Sequence, residues 1–298
     1  MLPNTTEVPY VTTQISFICD DPKYEEEKPY YYSGELPPDK EQLRTNLQYD
    51  RHDNVKVYNV RGHENDIKLV EDGFEFVHFT PSADVAGTKD AAASAYMEEL
   101  AQMLKEKFSA ELVLCYTCRF RKSNQKGAPN SLGYVGSGLR PDQPTNQAHV
   151  DQTYRGAWRR ARRHMSTAEA EKYLDGKWRL RIINAWKPLY TVYNHSLALC
   201  DRKSLHEENL ISVDRVADEY VGEVYYLTHD NDQKWYWLKE QRADELCVFL
   251  SFDSHPGEDA PAFCAHASFE DPEATEETPP RESVEVRAIV VTPVDRPR

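Results

Sequence analysis

Ala148-His149-Val150-Asp151-Gln152-Thr153, read together with Phe263-Cys264-Ala265-His266 far downstream, decides how this chain is expected to fold. Side chains two apart on an extended strand project from the same face, so His149 and Asp151 point together. A second imidazole to complete the set must come from another strand, and His266 ends the apolar, strand-like run Ala262–His266. A jelly-roll or cupin-type barrel places strands so distant in sequence side by side. The fold expected is mainly β with flanking helices (α+β), built on a double-stranded β-helix (jelly-roll/cupin-type) core.

Two neutral imidazoles and one carboxylate are the donor set of non-haem Fe(II) oxygenases, which keep the opposite coordination positions free. His-x-Asp alone is a weak signal, but the residues after His266 strengthen it. Beyond the acidic, proline-containing loop 270–280, Arg281-Glu282-Ser283 opens a strand. A guanidinium fork grips a carboxylate with two hydrogen bonds, and a serine hydroxyl adds a donor. His149, Asp151 and His266 are therefore the expected Fe(II) ligands. Arg281 and Ser283 are the expected holders of a 2-oxoglutarate co-substrate, with O2 as the second oxidant. Arg287 shares their strand face and is a rival anchor about 20 Å further along. Arg281 is preferred because it opens the strand and has the serine beside it. Asn184 and Trp186 share one face of another strand and are candidates for contact with substrate or co-substrate, although a tryptophan there also reads as core. Among other histidines, His255 precedes a Pro-Gly turn, His195 sits in a loop, and His78 has no acidic partner at useful spacing.

The 298-residue chain carries a formal net charge of -14 and 40% hydrophobic residues. That apolar share supports a proper core. The charge excludes generic nucleic-acid binding and adhesion to anionic membranes, both of which need clustered Lys and Arg. No apolar run reaches the length of a membrane span, and the first residues lack the basic and apolar regions of a secretory signal. A cytoplasmic protein with six free thiols is expected. Cys115 and Cys118 form a CxxC, but on a strand positions three apart face opposite sides, and no second CxxC completes a zinc site. The partner expected is a small-molecule substrate. Oligomeric state is left open, a homodimer included.

Lys89–Phe108 reads as the clearest helix, with Tyr96, Leu100, Leu104 and Phe108 on one face. A second helical stretch, 154–173, restarts at Ser166, where Ser166-Thr167-Ala168-Glu169 forms a capping box. Its arginines, Arg155, Arg159, Arg160, Arg162 and Arg163, read as a solvated face. Strands succeed it to the end of the chain. The expected organisation is a single catalytic domain, 1–298: an arm or lid over 1–50, then a helical buttress and β-helix core over 89–298. The Gly- and Pro-rich stretch 122–144 is a loop suited to lining an active-site mouth.

Several segments carry a resemblance to a known family: Arg181-Ile182-Ile183-Asn184-Ala185-Trp186-Lys187-Pro188-Leu189, then Leu197-Ala198-Leu199-Cys200-Asp201, then Trp235-Tyr236-Trp237 and Phe252-Asp253-Ser254. Ala265-His266-Ala267-Ser268-Phe269 and Pro280-Arg281-Glu282-Ser283-Val284-Glu285-Val286-Arg287 complete the series. In this order they resemble the fungal hydroxylase/desaturase family of secondary metabolism, which includes aspergillic acid hydroxylase-like and gibberellin desaturase-like enzymes. The resemblance implies a double-stranded β-helix and Fe(II)/2-oxoglutarate chemistry on a small organic substrate: hydroxylation, desaturation or oxidative cyclisation, with release of succinate and CO2. It implies His149, Asp151 and His266 on iron and Arg281 on 2-oxoglutarate. The family carries a proline and an acidic residue ahead of the Leu197–Asp201 segment, where this chain has Val192-Tyr193-Asn194-His195-Ser196. Two other readings use the same residues: another metal-dependent cupin enzyme, an isomerase or hydrolase, and a non-catalytic partner subunit with the same fold.

Overall fold

A computed structural model describes residues 2–83, 85, 90–123, 142–257 and 261–294. Stretch 124–141, the greater part of the loop expected at the active-site mouth, lies outside the described residues. The chain runs β1 (Tyr10–Ile18), α1 (Lys23–Glu26), β2 (Tyr30–Tyr32), β3 (Tyr49–Asn59), α2 (Leu69–Asp72), β4 (Phe74–His78), α3 (Asp90–Phe108) and β5 (Leu112–Lys122). It continues through β6 (His149–Val150), α4 (Tyr154–His164), α5 (Thr167–Tyr173), β7 (Trp178–Pro188), β8 (Ser196–Cys200), β9 (Leu210–Ala217) and β10 (Tyr220–Leu227). It ends with β11 (Trp235–Trp237), β12 (Glu245–Asp253), β13 (His266–Phe269) and β14 (Glu282–Pro293).

These strands form two sheets. The larger has the order β1-β3-β11-β8-β13-β6-β10-β9-β2, the smaller β4-β12-β7-β14-β5. The long excursions between neighbours produce the juxtaposition the sequence required: β13 pairs with β6 so that His266 lies directly opposite His149.

The smaller sheet shows why β7 and β14 are so apolar, since both of their faces are covered. Outward, Ile183, Ala185, Val284, Val286, Ala288 and Val290 pack with Tyr96, Leu100, Leu104 and Phe108 of α3. Each of the larger side chains buried there contributes about 1.5–3 kcal/mol relative to exposure. Inward, Leu180, Ile182, Ile289 and Val291 meet Phe17, Val57, Ala198, Cys200 and Trp235 of the larger sheet. That inner face changes character along the strands. On β14, Ile289 and Val291 are core, but Arg287, Glu285 and Ser283 on the same side are polar and buried. One end of the barrel is thus sealed with hydrocarbon and the other is furnished with polar groups.

The α4–α5 junction agrees with the sequence: Thr153 caps α4 by accepting from the Gly156 amide, and Ser166 with Glu169 forms the capping box of α5. Residues 1–50, expected as an arm or lid, contribute strands to the larger sheet. Strand β1 pairs antiparallel with β3 and buries Ile15, Phe17 and Ile18, while β2 adds in parallel to β9 as an edge strand. In the Tyr-rich segment, Tyr30–Tyr32 are tied into sheet hydrogen bonds with β9. The CxxC reading also needs correction. A β-bulge falls at Tyr116 in the ladder with β14, where Thr117 pairs with Arg287 and Cys115 with Ala288. The extra residue shifts the alternation, so Cys115 and Cys118 pack into the same core as Val286 and Ala288. Burial pushes both thiols up to about 12, which makes them inert packing groups.

Candidate metal and co-substrate site

His149 opens the short β6, and Asp151 comes directly after its end. Gly156 holds this turn in place: a Cβ there would lie 2.7 Å from the backbone oxygen of Glu223, so only glycine lets the start of α4 seat against β10. Ligand atoms of His149, Asp151 and His266 all lie within 4.8 Å of one another, and among the described residues they are the one such trio. His149 Nε2 is 3.8 Å from Asp151 Oδ1, and His266 Nε2 is 3.7 Å from Asp151 Oδ2.

Each imidazole is turned by its other nitrogen. Nδ1 of His149 lies 2.8 Å from the carbonyl oxygen of Gln147, and Nδ1 of His266 lies 3.4 Å from that of Cys264. A proton on Nδ1 donates to those carbonyls and leaves the Nε2 lone pairs facing Asp151, the tautomer that suits a metal ligand. Burial, then the proximity of His266, pulls His149 down to about 3. Burial also lowers His266, against the pull of Asp151 and Glu285. Burial alone would raise the carboxyl of Asp151, but Arg287 and the two imidazoles hold it well below the usual range. Two neutral nitrogens and one carboxylate, oriented and desolvated, fit a divalent transition metal.

Asp151 is itself held from two sides. Arg287 Nη2 donates to Oδ1 at 2.6 Å, and Asn184 Nδ2 donates to Oδ2 at 2.5 Å. A bulge in β12 between Leu250 and Phe252 turns Ser251 inward, where its hydroxyl donates to Asn184 Oδ1 at 2.7 Å and fixes the amide. Asn184, a candidate for substrate contact from sequence, is fully buried behind the carboxylate. An Asn184→Ala variant is expected to lose about 10–100-fold in metal affinity, measured by Mn(II) titration with electron paramagnetic resonance.

Arg281 and Ser283 lie one step away. Arg281 Nη1 donates to the backbone oxygen of His195 at 2.6 Å and reaches Ser268 Oγ at 3.4 Å. Ser268 is two residues beyond His266 on β13, on the same face, which sets the guanidinium about 7 Å along from the metal trio. Its Cζ stacks 5.5 Å from the ring centroid of Trp186. Trp186 therefore sits beneath Arg281 rather than in an open pocket, and it is 2% exposed. His195, with φ of 52°, turns its carbonyl toward Arg281. The segment 192–196, where the chain departs from the resembled pattern, thus supports the guanidinium. Among the described residues, Arg281 Nε and Ser283 Oγ are both buried without a hydrogen-bond partner. Burial, with Arg121 adding repulsion, pulls the Arg281 guanidinium down to about 9. Unsatisfied buried donors of this kind need an acceptor, and a carboxylate supplies it.

Sequence reasoning missed Arg119 and Arg121 of β5. They alternate with the apolar Cys118 and Phe120, and this pattern on a strand sends both inward. Ser283 pairs with Arg121 and Glu285 with Arg119. It also missed Arg160: on α4 the buried face is Gly156, Ala157, Arg160 and Ala161, so one arginine of the expected solvated set turns inward.

Comparison with known proteins places the chain. Residues 15–291 match the family described as oxidoreductase/YMDC permease-like domain. The chain belongs to this family. Similar proteins include the alpha-ketoglutarate-dependent dioxygenase phiK of Fungal sp., 29% identical over 254 residues that cover 82% of this chain and 87% of the relative. The Fe(II)/2-oxoglutarate-dependent dioxygenase nvfI of Aspergillus novofumigatus is 27% identical over 287 residues, 93% of this chain and 95% of the relative. Hydroxylase/desaturase CTB9 of Cercospora beticola is 29% identical over 79% of this chain and 75% of its own. The solved structure of the iron and alpha-ketoglutarate-dependent endoperoxidase NvfI superposes with a TM-score of 0.80 at 25% identity, covering 95% of this chain and 98% of that one. The family resemblance and the jelly-roll fold expected from the sequence are borne out by these matches. Among the described residues no helix is long and apolar enough to cross a membrane.

Proposed function

We propose that this chain is an Fe(II)/2-oxoglutarate-dependent oxygenase that oxidises a small organic substrate, like the dioxygenases and hydroxylase/desaturases it resembles. The observation that carries the reading is the placement of two unsatisfied donors, Arg281 Nε and Ser283 Oγ, one strand step from the His149–Asp151–His266 trio. A five-carbon diacid reaches from one to the other. Iron held by the trio, with 2-oxoglutarate beside it, supplies O2-derived oxidising power toward an unactivated C–H bond, with succinate and CO2 released.

The chain's own residues do the rest. Gln147 and Cys264 carbonyls keep both imidazoles in the ligating tautomer. Arg287 and Asn184 keep Asp151 charged and aimed. Arg281 receives the distal carboxylate of 2-oxoglutarate, with Trp186 behind it and Ser283 completing the grip. The hydrocarbon end of the barrel excludes water from this side of the site. A single catalytic domain and a cytoplasmic location accord with the reading. Calorimetric titration tests it: 2-oxoglutarate is expected to bind in the presence of Fe(II) or Mn(II) and to lose that binding under chelator. Binding indifferent to divalent metal contradicts it.

The depressed imidazole of His149 adds a pH dependence. The unfolded chain takes up a proton near pH 6.5, whereas folded His149 resists until about 3. Between those values the unfolded state binds more protons, so the metal-free protein loses stability as pH falls from 6.5 toward 3, by up to about 1.4 kcal/mol per pH unit for this residue. Denaturant melts of metal-free protein at about pH 7 and pH 5 measure it, and His149→Gln flattens the difference.

A further inference from the structure

A second cationic site lies beside the metal trio. A cavity of about 80 Å³ opens beside His149 and Asp151, between β5, α4, β9, β10 and β14. Five arginines line it: Arg119, Arg121, Arg160, Arg215 and Arg287. Two carboxylates face it, Asp151 and Glu223, and both are already engaged. Asp151 belongs to the trio and takes Arg287. Glu223 accepts from Lys28 Nζ at 2.5 Å and from the Thr153 hydroxyl. The lining therefore carries an excess of positive charge in a protein whose net charge is -14.

The arginines are also fixed in place. Arg160 stacks on Tyr220, with Cζ 4.7 Å from the ring centroid, and Arg215 stacks on Tyr31 at 4.5 Å. Arg121 is held by the Gln143 carbonyl at 2.7 Å, and Arg119 lies 4.0 Å from Asp142. Gly222 separates Arg160 from Arg215: a Cβ there would lie 3.6 Å from Arg160 Nη2 and 3.7 Å from Arg215 Cβ. The tightest neighbour of that Cβ would be Tyr220 Cε1 at 3.1 Å, so the missing side chain lets the ring that braces Arg160 lie close to β10. Rings that brace guanidinium planes fix the direction in which their N–H edges point.

We propose that the organic substrate of this enzyme is an acid, whose carboxylate docks among Arg119, Arg160 and Arg215 and so places its neighbouring carbons beside the metal trio. The inference rests on the oxygenase reading and deepens it. About 80 Å³ is the share of two to three water molecules, enough for a carboxylate head and its first carbon. The cavity is separate from the Arg281 anchor, which is not among its lining residues. The enzyme then has two anion grips beside one metal site, one for the co-substrate and one for the substrate. The arginine of α4 that sequence reading assigned to solvent is the helix's contribution to the second.

The test uses full-length protein loaded with Mn(II) and saturated with 2-oxoglutarate. Hexanoate and methyl hexanoate serve as probes, and paramagnetic relaxation of their protons is the readout. Hexanoate is expected to show saturable relaxation and its ester at least about 10-fold weaker binding, since the ester lacks the charge. Arg160→Gln and Arg215→Gln are each expected to weaken hexanoate by about 10-fold while leaving the 2-oxoglutarate requirement unchanged. Equal binding of acid and ester overturns the proposal, and that comparison needs no variant to fold. Hexanoate affinity unchanged in both variants also overturns it. So does competition between hexanoate and 2-oxoglutarate with a raised 2-oxoglutarate requirement in the variants, which would assign the cavity to the co-substrate. Failure of the oxygenase reading itself looks different: wild-type protein would not bind 2-oxoglutarate in a metal-dependent way at all.

Discussion

His266→Ala is expected to abolish stoichiometric Fe(II) binding while leaving a folded protein. His266 is one of the three side chains proposed to hold the metal, with its Nε2 standing 3.7 Å from Asp151, and its loss leaves His149 as the sole imidazole of the trio. Losing a direct ligand costs more than the roughly 10–100-fold in affinity that losing an outer partner costs. The fold should survive because β13 keeps its pairing with β8 from Leu199 to Ser196, and the strand's core contacts through Ala267 and Phe269 do not involve the imidazole. Truncation still removes a buried side chain packed on Phe249, so a lowered melting temperature accompanies the loss. Metal content after anaerobic gel filtration, beside circular dichroism of the same sample, separates the two effects. A variant that is folded and iron-replete would remove His266 from the ligand set.

The second large effect is on the co-substrate. Arg281→Ala should raise the 2-oxoglutarate concentration needed for half-saturation by about 100-fold, because it removes charge-assisted hydrogen bonds of roughly 1.5–3 kcal/mol. Metal binding should stay near wild type, since Arg281 bonds to His195 and Ser268 rather than to the trio. Arg287→Ala is the informative opposite. Arg287 donates to Asp151 and lies beside Glu285, so its loss should weaken the metal first and the co-substrate only as a consequence. Calorimetry with metal and with 2-oxoglutarate on the two variants distinguishes them. If Arg287→Ala alone raised the 2-oxoglutarate requirement with metal affinity intact, Arg287 would be the anchor. Arg281→Lys should recover part of the loss but not all, because an ammonium cannot reproduce the fork.

Much of this arrangement was legible in the sequence because strand periodicity is so simple. His149 and Asp151 two apart, and Arg281, Ser283, Glu285 and Arg287 at alternate positions, declare their shared faces without coordinates. Long-range pairing was legible only through chemistry: the need for a second imidazole picked out His266, and the structure sets it opposite His149. Irregularity was the limit. The bulge at Tyr116 reverses the parity on which the Cys115–Cys118 reading stood, and the bulge that turns Ser251 inward leaves no mark in an apolar run. Depth was the other limit. Asn184 and Trp186 were placed on one strand face, but whether an inward side chain meets a ligand or stands behind a residue that does depends on what lies opposite. Asn184 stands behind Asp151 and Trp186 behind Arg281. Arg160 was hidden for a related reason: in a run of five arginines only the helix's packing tells which one turns inward, and that packing is set by β10 far along the chain.

The functional reading stands most directly on one titration. Fe(II)-loaded protein under anaerobic conditions, titrated with 2-oxoglutarate, should develop a visible metal-to-ligand charge-transfer band that saturates at one equivalent per chain. The band should be absent in His266→Ala. An iron-replete wild-type protein that shows no band at any 2-oxoglutarate concentration would contradict the assignment of this chain as a 2-oxoglutarate-dependent oxygenase.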